Sequence, residues 1–156
     1  MLKGFLALSI LASVLGLAAC QSVPPDTPKT TVTANNLVKL RQSGWVLTHV
    51  GNTAVPNLQE PRQMAHLQFN DDARVFGADG CNRVAGSYRA GADTLNFEQM
   101  ITTRMACLNN NQLDVAFNSA ITHVTHYQVY ADTLKLLDRY GNVLLQFKAI
   151  AKSRLA

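Results

Sequence analysis

Along this chain, apolar and polar positions alternate with a period of two in seven short runs. Trp45-Val46-Leu47-Thr48-His49, Ala65-His66-Leu67-Gln68-Phe69, Arg74-Val75-Phe76-Gly77 and Thr94-Leu95-Asn96-Phe97 each put alternate side chains on one face. Tyr127-Gln128-Val129-Tyr130, Thr133-Leu134-Lys135-Leu136-Leu137 and Val143-Leu144-Leu145-Gln146-Phe147 repeat the pattern. Between them stand turn formers: Asn70-Asp71-Asp72, Ala131-Asp132 and Asp138-Arg139-Tyr140-Gly141-Asn142. Such short turns join neighbouring strands as hairpins, so the pattern predicts an antiparallel sheet. One segment has a different period. Leu113, Phe117, Ala120, Ile121 and Val124 recur at helical spacing behind Asn109-Asn110-Asn111, with Asn111 suited to cap the helix and Asp114 suited to its positive end. The expected fold is α+β and mainly β: a curved antiparallel sheet or partial barrel of seven or eight strands, with one amphipathic helix packed on its apolar face.

The first 20 residues lie outside this pattern. In MLKGFLALSILASVLGLAAC, Lys3 precedes an apolar run from Phe5 to Leu17 that gives way to small residues, the layout of a secretory signal peptide. A bilayer-spanning helix needs about 20 apolar residues. This run is shorter and is interrupted by Ser9, Ser13 and Gly16. Leu17-Ala18-Ala19-Cys20 resembles the lipobox of bacterial lipoproteins, in which the cysteine is acylated and becomes the first residue of the mature chain. Residues 1–19 are therefore expected to be a cleaved leader. Cys20 is expected to carry acyl chains, palmitate among them, that hold the protein on a membrane without crossing it, each buried CH₂ adding about 0.8 kcal/mol. The alternative is an ordinary signal peptide that abuts a free Cys20 thiol. Gln21 stands where an aspartate would argue for retention in the inner membrane, which points to the outer membrane, facing the periplasm.

From Gln21 to Gln42 the chain reads QSVPPDTPKTTVTANNLVKLRQ, rich in Pro, Thr and Asn with scattered apolar residues. That is a linker composition, so residues 20–42 are expected to be the lipidated cysteine and a flexible tether. Leu37-Val38-Lys39-Leu40 could begin a short helix that docks on the domain. Residues 43–151 have the size of one domain, and 152–156 form a C-terminal tail. Loss of the leader removes one cation, Lys3, from 14 Lys and Arg that stand against 10 Asp and Glu. The excess is mild and scattered, which argues against nucleic acid as a partner and fits a solvated surface.

With Cys20 acylated, Cys81 and Cys107 remain, two thiols in an oxidising compartment, and a disulfide is the expected outcome. Closing the loop between them stabilises by about 3 to 4 kcal/mol on the chain-entropy estimate. A reactive or metal-binding thiol would need a nearby base or ligand set, and the sequence contains no Cys-x-x-Cys.

A family resemblance runs through the same residues. Trp45-x-Leu47, Gly80-Cys81-Asn82 followed by Gly86-x-Tyr88, and Leu95-x-Phe97 lead to Thr102-Thr103-x-Met105-Ala106-Cys107. With Phe117, Leu134-x-Leu136 and Leu145-x-Phe147, they resemble the META domain family, whose bacterial members include HslJ-like heat-shock lipoproteins. The likeness covers about residues 44–148. It implies a small, mostly β domain with a helix on its sheet, secreted or envelope-anchored, and linked to stress response, drug tolerance or envelope upkeep. It implies no family-wide catalytic activity. The chain departs from the pattern in having Asp114 where Glu is frequent, and in a lengthened turn at 138–142.

Candidate chemistry is sparse. His123-x-x-His126 has a spacing that suits two metal ligands, but it spans a helix end and has no Cys, Asp or Glu within four residues on either side, so no metal site is expected. His49 and His66 sit within strands. Ser87 or Ser119 can be paired with a histidine on paper, yet no G-x-S-x-G elbow supports either, and neither catalytic residues nor a cofactor are expected. The disulfide would gather Asn82, Arg83, Thr102, Thr103 and Arg104 into one region. On one reading Asn82 supplies a left-handed turn position and the threonines bond neighbouring backbone. On the other, the cluster is a binding surface for an envelope protein partner or an anionic ligand. The expected function is that of a lipid-anchored, non-enzymatic envelope protein whose domain is an interaction module for envelope integrity or stress tolerance. The alternatives are a carrier of a small apolar ligand, against which Phe117, Ile121 and Val124 argue by filling the space, and an inhibitor of an envelope hydrolase.

Overall fold

The structure, a computed structural model, describes residues 28–56, 64–106 and 112–155. The expected leader, Cys20, Cys107 and the helix cap Asn111 lie outside the described residues. The chain runs α1 (Pro28–Gln42), β1 (Gly44–Val50), β2 (Thr53–Ala54), β3 (His66–Phe69), β4 (Arg74–Ala78), β5 (Arg83–Ala90) and β6 (Leu95–Thr102). It continues through α2 (Leu113–Ile121), β7 (His126–Tyr130), β8 (Thr133–Leu137) and β9 (Val143–Ile150) to a short 3₁₀ turn, Lys152–Arg154.

One sheet holds every strand, in the order β6-β5-β4-β3-β1-β9-β8-β7 with β2 attached to β1, and all pairings are antiparallel. The sheet curls until its two outer strands meet at one end. There the Leu95 N–H donates to the Thr125 carbonyl (3.0 Å), the Tyr127 N–H donates to the Asp93 carbonyl (2.8 Å), and Thr94 bridges His126. The result is a half-barrel, as the alternation predicts. Inward side chains such as Leu67, Phe69, Val75, Leu134, Leu136 and Leu145 fill its concave face. Phe117 and Ile121 of α2 and Val124 just beyond it complete the core, with the Phe117 ring edge-on to Phe147 at 6.4 Å between centroids. Large buried side chains of this kind supply the main favourable term, about 1.5–3 kcal/mol each.

All seven expected strands are present, and β2 and β5 are additional. β5 escapes the alternation rule because a glycine sits between its inward residues Val84 and Tyr88. The sheet needs that glycine. A Cβ on Gly86 would meet the Met100 sulfur and stand 2.9 Å from the Glu98 carbonyl oxygen. There β6 bulges against β5, with Gln99 at φ 51°.

The tether expected up to Gln42 is corrected by α1, which is helical from Pro28. Proline suits the first helical position because its missing N–H would be unpaired there anyway. The Thr and Asn residues that followed it read as linker because their helix propensity is low, and docking outweighs that preference. Leu40 is wholly buried, the Trp45 indole donates to the Leu40 carbonyl (2.8 Å), and Arg41 Nε donates to the Tyr88 hydroxyl (2.8 Å). The domain therefore takes in the last turn of α1, ahead of residue 43. Every described element lies between Pro28 and Arg154, so this stretch carries its own core.

Candidate functional site

Two polar side chains are buried among the described residues, Asp79 and Asn82, and both belong to the turn between β4 and β5. Asp79 has no solvent exposure, and four N–H groups converge on its carboxylate. The Cys81 and Asn82 backbone amides donate to Oδ1 at 3.0 and 2.7 Å, while the side-chain amides of Asn82 and Asn118 donate to Oδ2 at 3.3 and 2.7 Å. The first two bonds are an Asx turn, the usual local use of Asp in a tight turn. The last two are tertiary. Asn118 stands on α2, where its amide also donates to the Asp114 carbonyl at 2.7 Å. Asn82 passes the connection on, its Oδ1 accepting the Met105 N–H at 2.8 Å. A buried carboxylate is tolerated only when such donors replace its water.

This network ties together three segments distant in sequence: the β4–β5 turn, the stretch after β6, and α2. Arg83 and Thr103 add a clasp, the Arg83 N–H donating to Thr103 Oγ1 and the Thr103 N–H to the Arg83 carbonyl, both at 3.0 Å. The threonine thus bonds neighbouring backbone, as one sequence reading expected. Asn82 does not supply the left-handed position of the turn. Gly80 does, at φ 98°. Asn82 is also buried, so of the five residues expected to form a surface it is the one turned inward. Cys81 is disulfide-bonded. Its expected partner, Cys107, lies outside the described residues.

Over this base lies an exposed rim. Arg83, Thr102, Thr103 and Arg104 all face solvent, and among the described residues neither arginine forms a salt bridge. Three apolar side chains stand out beside them: Ile101 (69 % exposed), Met105 (62 %) and Val115 (62 %). Because β4, β5 and β6 are antiparallel, the rim sits at the end of these strands opposite to α1. At the α1 end the Tyr88 hydroxyl donates to the Asn70 carbonyl (2.7 Å) and accepts from Arg41. Burial pushes the Tyr88 phenol above its ordinary value, with Arg41 opposing the shift.

The histidines do not converge. His123 Nδ1 lies 2.9 Å from the Ser119 carbonyl, His126 Nδ1 lies 2.9 Å from Thr125 Oγ1, and His49 Nδ1 lies 3.1 Å from Thr48 Oγ1. His66 is partly buried against the Met64 carbonyl, and desolvation holds its pKa below the usual histidine value despite that hydrogen bond. No group of three His, Cys, Asp or Glu side chains assembles among the described residues. Ser87 donates to the Glu98 carbonyl at 3.3 Å.

Asp79 and Asn118 are the residues that sequence reasoning missed. Asp79 opens the Asp-Gly-Cys-Asn turn and carries the local Asx signal, but nothing near it in the chain announces Asn118.

The geometry agrees with comparisons to known proteins. A family model described as the META domain matches residues 38–151. An NMR structure of a protein from Burkholderia xenovorans is 25 % identical, covers 88 % of this chain and 99 % of that one, and superposes with a TM-score of 0.58. A second NMR structure is 22 % identical over 70 % of this chain and 91 % of the other, with a TM-score of 0.57. The crystal structure of a DUF4847 family protein from Bacteroides vulgatus is 16 % identical over 74 % of this chain and 99 % of the other, with a TM-score of 0.53, and shares the fold. No curated protein matches the chain.

Proposed function

The chain belongs to the META domain family, and from that premise we propose that it is a lipid-anchored, non-enzymatic envelope protein whose domain is an interaction module supporting envelope integrity or stress tolerance. The observation that carries this reading is the rim. Guanidinium groups of Arg83 and Arg104, unpaired among the described residues, stand beside exposed Ile101, Met105 and Val115 on a base that the Asp79 network holds rigid. Exposed apolar groups with arginines are the composition of contact surfaces, because arginine binds anionic groups through two parallel N–H donors while the apolar side chains leave water. A rigid base lowers the entropy lost on binding.

The mechanism is presentation: an acyl anchor on Cys20 facing the periplasm from the outer membrane, a short link to α1, and a domain that offers its rim at the end opposite to α1. A carrier role gains no support, since Phe117, Ile121 and Val124 occupy the concave interior. The exposed rim also favours a second reading, inhibition of an envelope hydrolase, which requires a rigid projecting segment.

The test is the Arg83→Ala/Arg104→Ala double variant expressed in place of the native protein, compared with Cys20→Ser. Unchanged melting together with increased sensitivity to detergent or heat is the expected result, and Cys20→Ser should move the protein out of the membrane fraction. An arginine variant with unchanged melting and unchanged sensitivity would overturn the module reading. Inhibition of purified envelope hydrolases that is lost in the same variant would instead select the inhibitor.

A further inference from the structure

A second surface, remote from the rim, has a different chemistry. An open groove of about 660 Å³ runs beside α1 over the outer face of β7, β8 and β9. Its size falls within the roughly 300–1,000 Å³ of small-molecule sites. It is bounded by Asn36 of α1, Asp93 of the β5–β6 turn, and Gln128, Tyr130, Lys135 and Gln146 of the sheet. We propose that this groove binds a short oligosaccharide of β-linked pyranose units.

Strand register carries the argument. Gln128 pairs with Lys135 and Lys135 with Gln146, so the three side chains form one row across three adjacent strands on the outer face. Two strand spacings span roughly 10 Å, about the length of two pyranose rings laid end to end in a flat, equatorially linked chain. Tyr130 pairs with Thr133 in the next row and is 84 % exposed at the end of its strand. It is followed by Ala131 at φ 50°, a left-handed position that a residue with a Cβ rarely takes.

The donor set suits a sugar. Each ring hydroxyl both donates and accepts, and a glutamine amide offers one acceptor and two donors on a single planar group. Among the described residues, the side-chain amides of Gln128 and Gln146 make no hydrogen bond and Lys135 forms no salt bridge, so these groups are available to a ligand. The exposed Tyr130 ring offers an apolar face with a polar tip, which matches the C–H face of a pyranose. A polyanion would call for several cations, whereas here one lysine stands among amides opposite Asp93. Tyr127, Val129 and Thr133 complete the lining, so the walls are part polar and part apolar, as the surface of a sugar ring is.

The test uses the chain from Gln21 onward, which retains every described element and the whole core, labelled with ¹⁵N and titrated with chitotriose and with cellotriose. Expected are chemical-shift changes at the side-chain amides of Gln128, Gln146 and Asn36 with at least one of the two sugars. Tyr130→Ala, at an exposed position that leaves folding intact, should weaken that binding about tenfold, the scale of one lost aromatic contact. Arg104→Ala, on the distant rim, should leave it unchanged. No shift with either sugar overturns the proposal, as do shifts located away from the groove or equal affinity in wild type and Tyr130→Ala. A null result here leaves the rim reading untouched, because the two surfaces share no residue.

Discussion

Replacing Asp79 with alanine is the sharpest test of how the rim is supported. The substitution removes both carboxylate oxygens from a site with no solvent exposure and takes away the acceptor shared by the part-buried Cys81 and buried Asn82 backbone amides, which donate at 3.0 and 2.7 Å. A buried donor left unsatisfied costs about 1–3 kcal/mol. The side-chain amide of Asn118 is less affected, because it retains the Asp114 carbonyl at 2.7 Å. Two terms offset the loss: a buried charge no longer has to be desolvated, and a water can enter the vacated space. The net expectation is about 2–3 kcal/mol, a large share of the roughly 5–15 kcal/mol of a typical domain. At about 4 °C per kcal/mol, Tm falls by roughly 10 °C. Asp79→Asn keeps the shape and one acceptor oxygen, but turns an NH₂ toward donors, and should lie between wild type and Asp79→Ala. Urea unfolding followed by Trp45 fluorescence measures all three, and hydrogen exchange at the Met105 amide, which bonds to Asn82 at 2.8 Å, reports the local loosening. An Asp79→Ala variant within about 0.5 kcal/mol of wild type would show that the network does not hold the rim.

Other consequences are equally direct. Phe117→Ala, which empties a wholly buried site against Phe147, should cost about 3–5 kcal/mol in the same assay. Native protein should resist alkylation at Cys81, and reduction should lower stability by about 3–4 kcal/mol, as read by intact mass and a thermal melt of each form. His66 should make stability depend on pH. Its folded pKa lies below the unfolded value of about 6.5, so the unfolded chain binds the proton more readily. Stability should therefore fall as pH drops below about 6.5 and level off only below the folded pKa, and His66→Gln should flatten that slope in urea melts taken across this range.

The features legible along the chain are local in origin. Alternation around Trp45, Leu67, Leu134 and Leu145 specifies strands with one buried face, and the spacing of Leu113, Phe117 and Ile121 specifies the helix, because side-chain direction follows from backbone period alone. From these, the half-barrel follows. Tertiary contacts decided the rest. β5 hid behind Gly86, whose reason is the approach of Met100 and Glu98 from the neighbouring strand. α1 read as linker because its stability comes from Leu40, Trp45 and Tyr88 and not from its own Thr and Asn residues. Asp79 read as a turn former because its burial depends on Asn118, 39 positions away. The row of Gln128, Lys135 and Gln146 exists only through strand register. Period is a property of neighbours along the chain, whereas burying a charge or aligning side chains across strands depends on groups that meet only when the sheet closes.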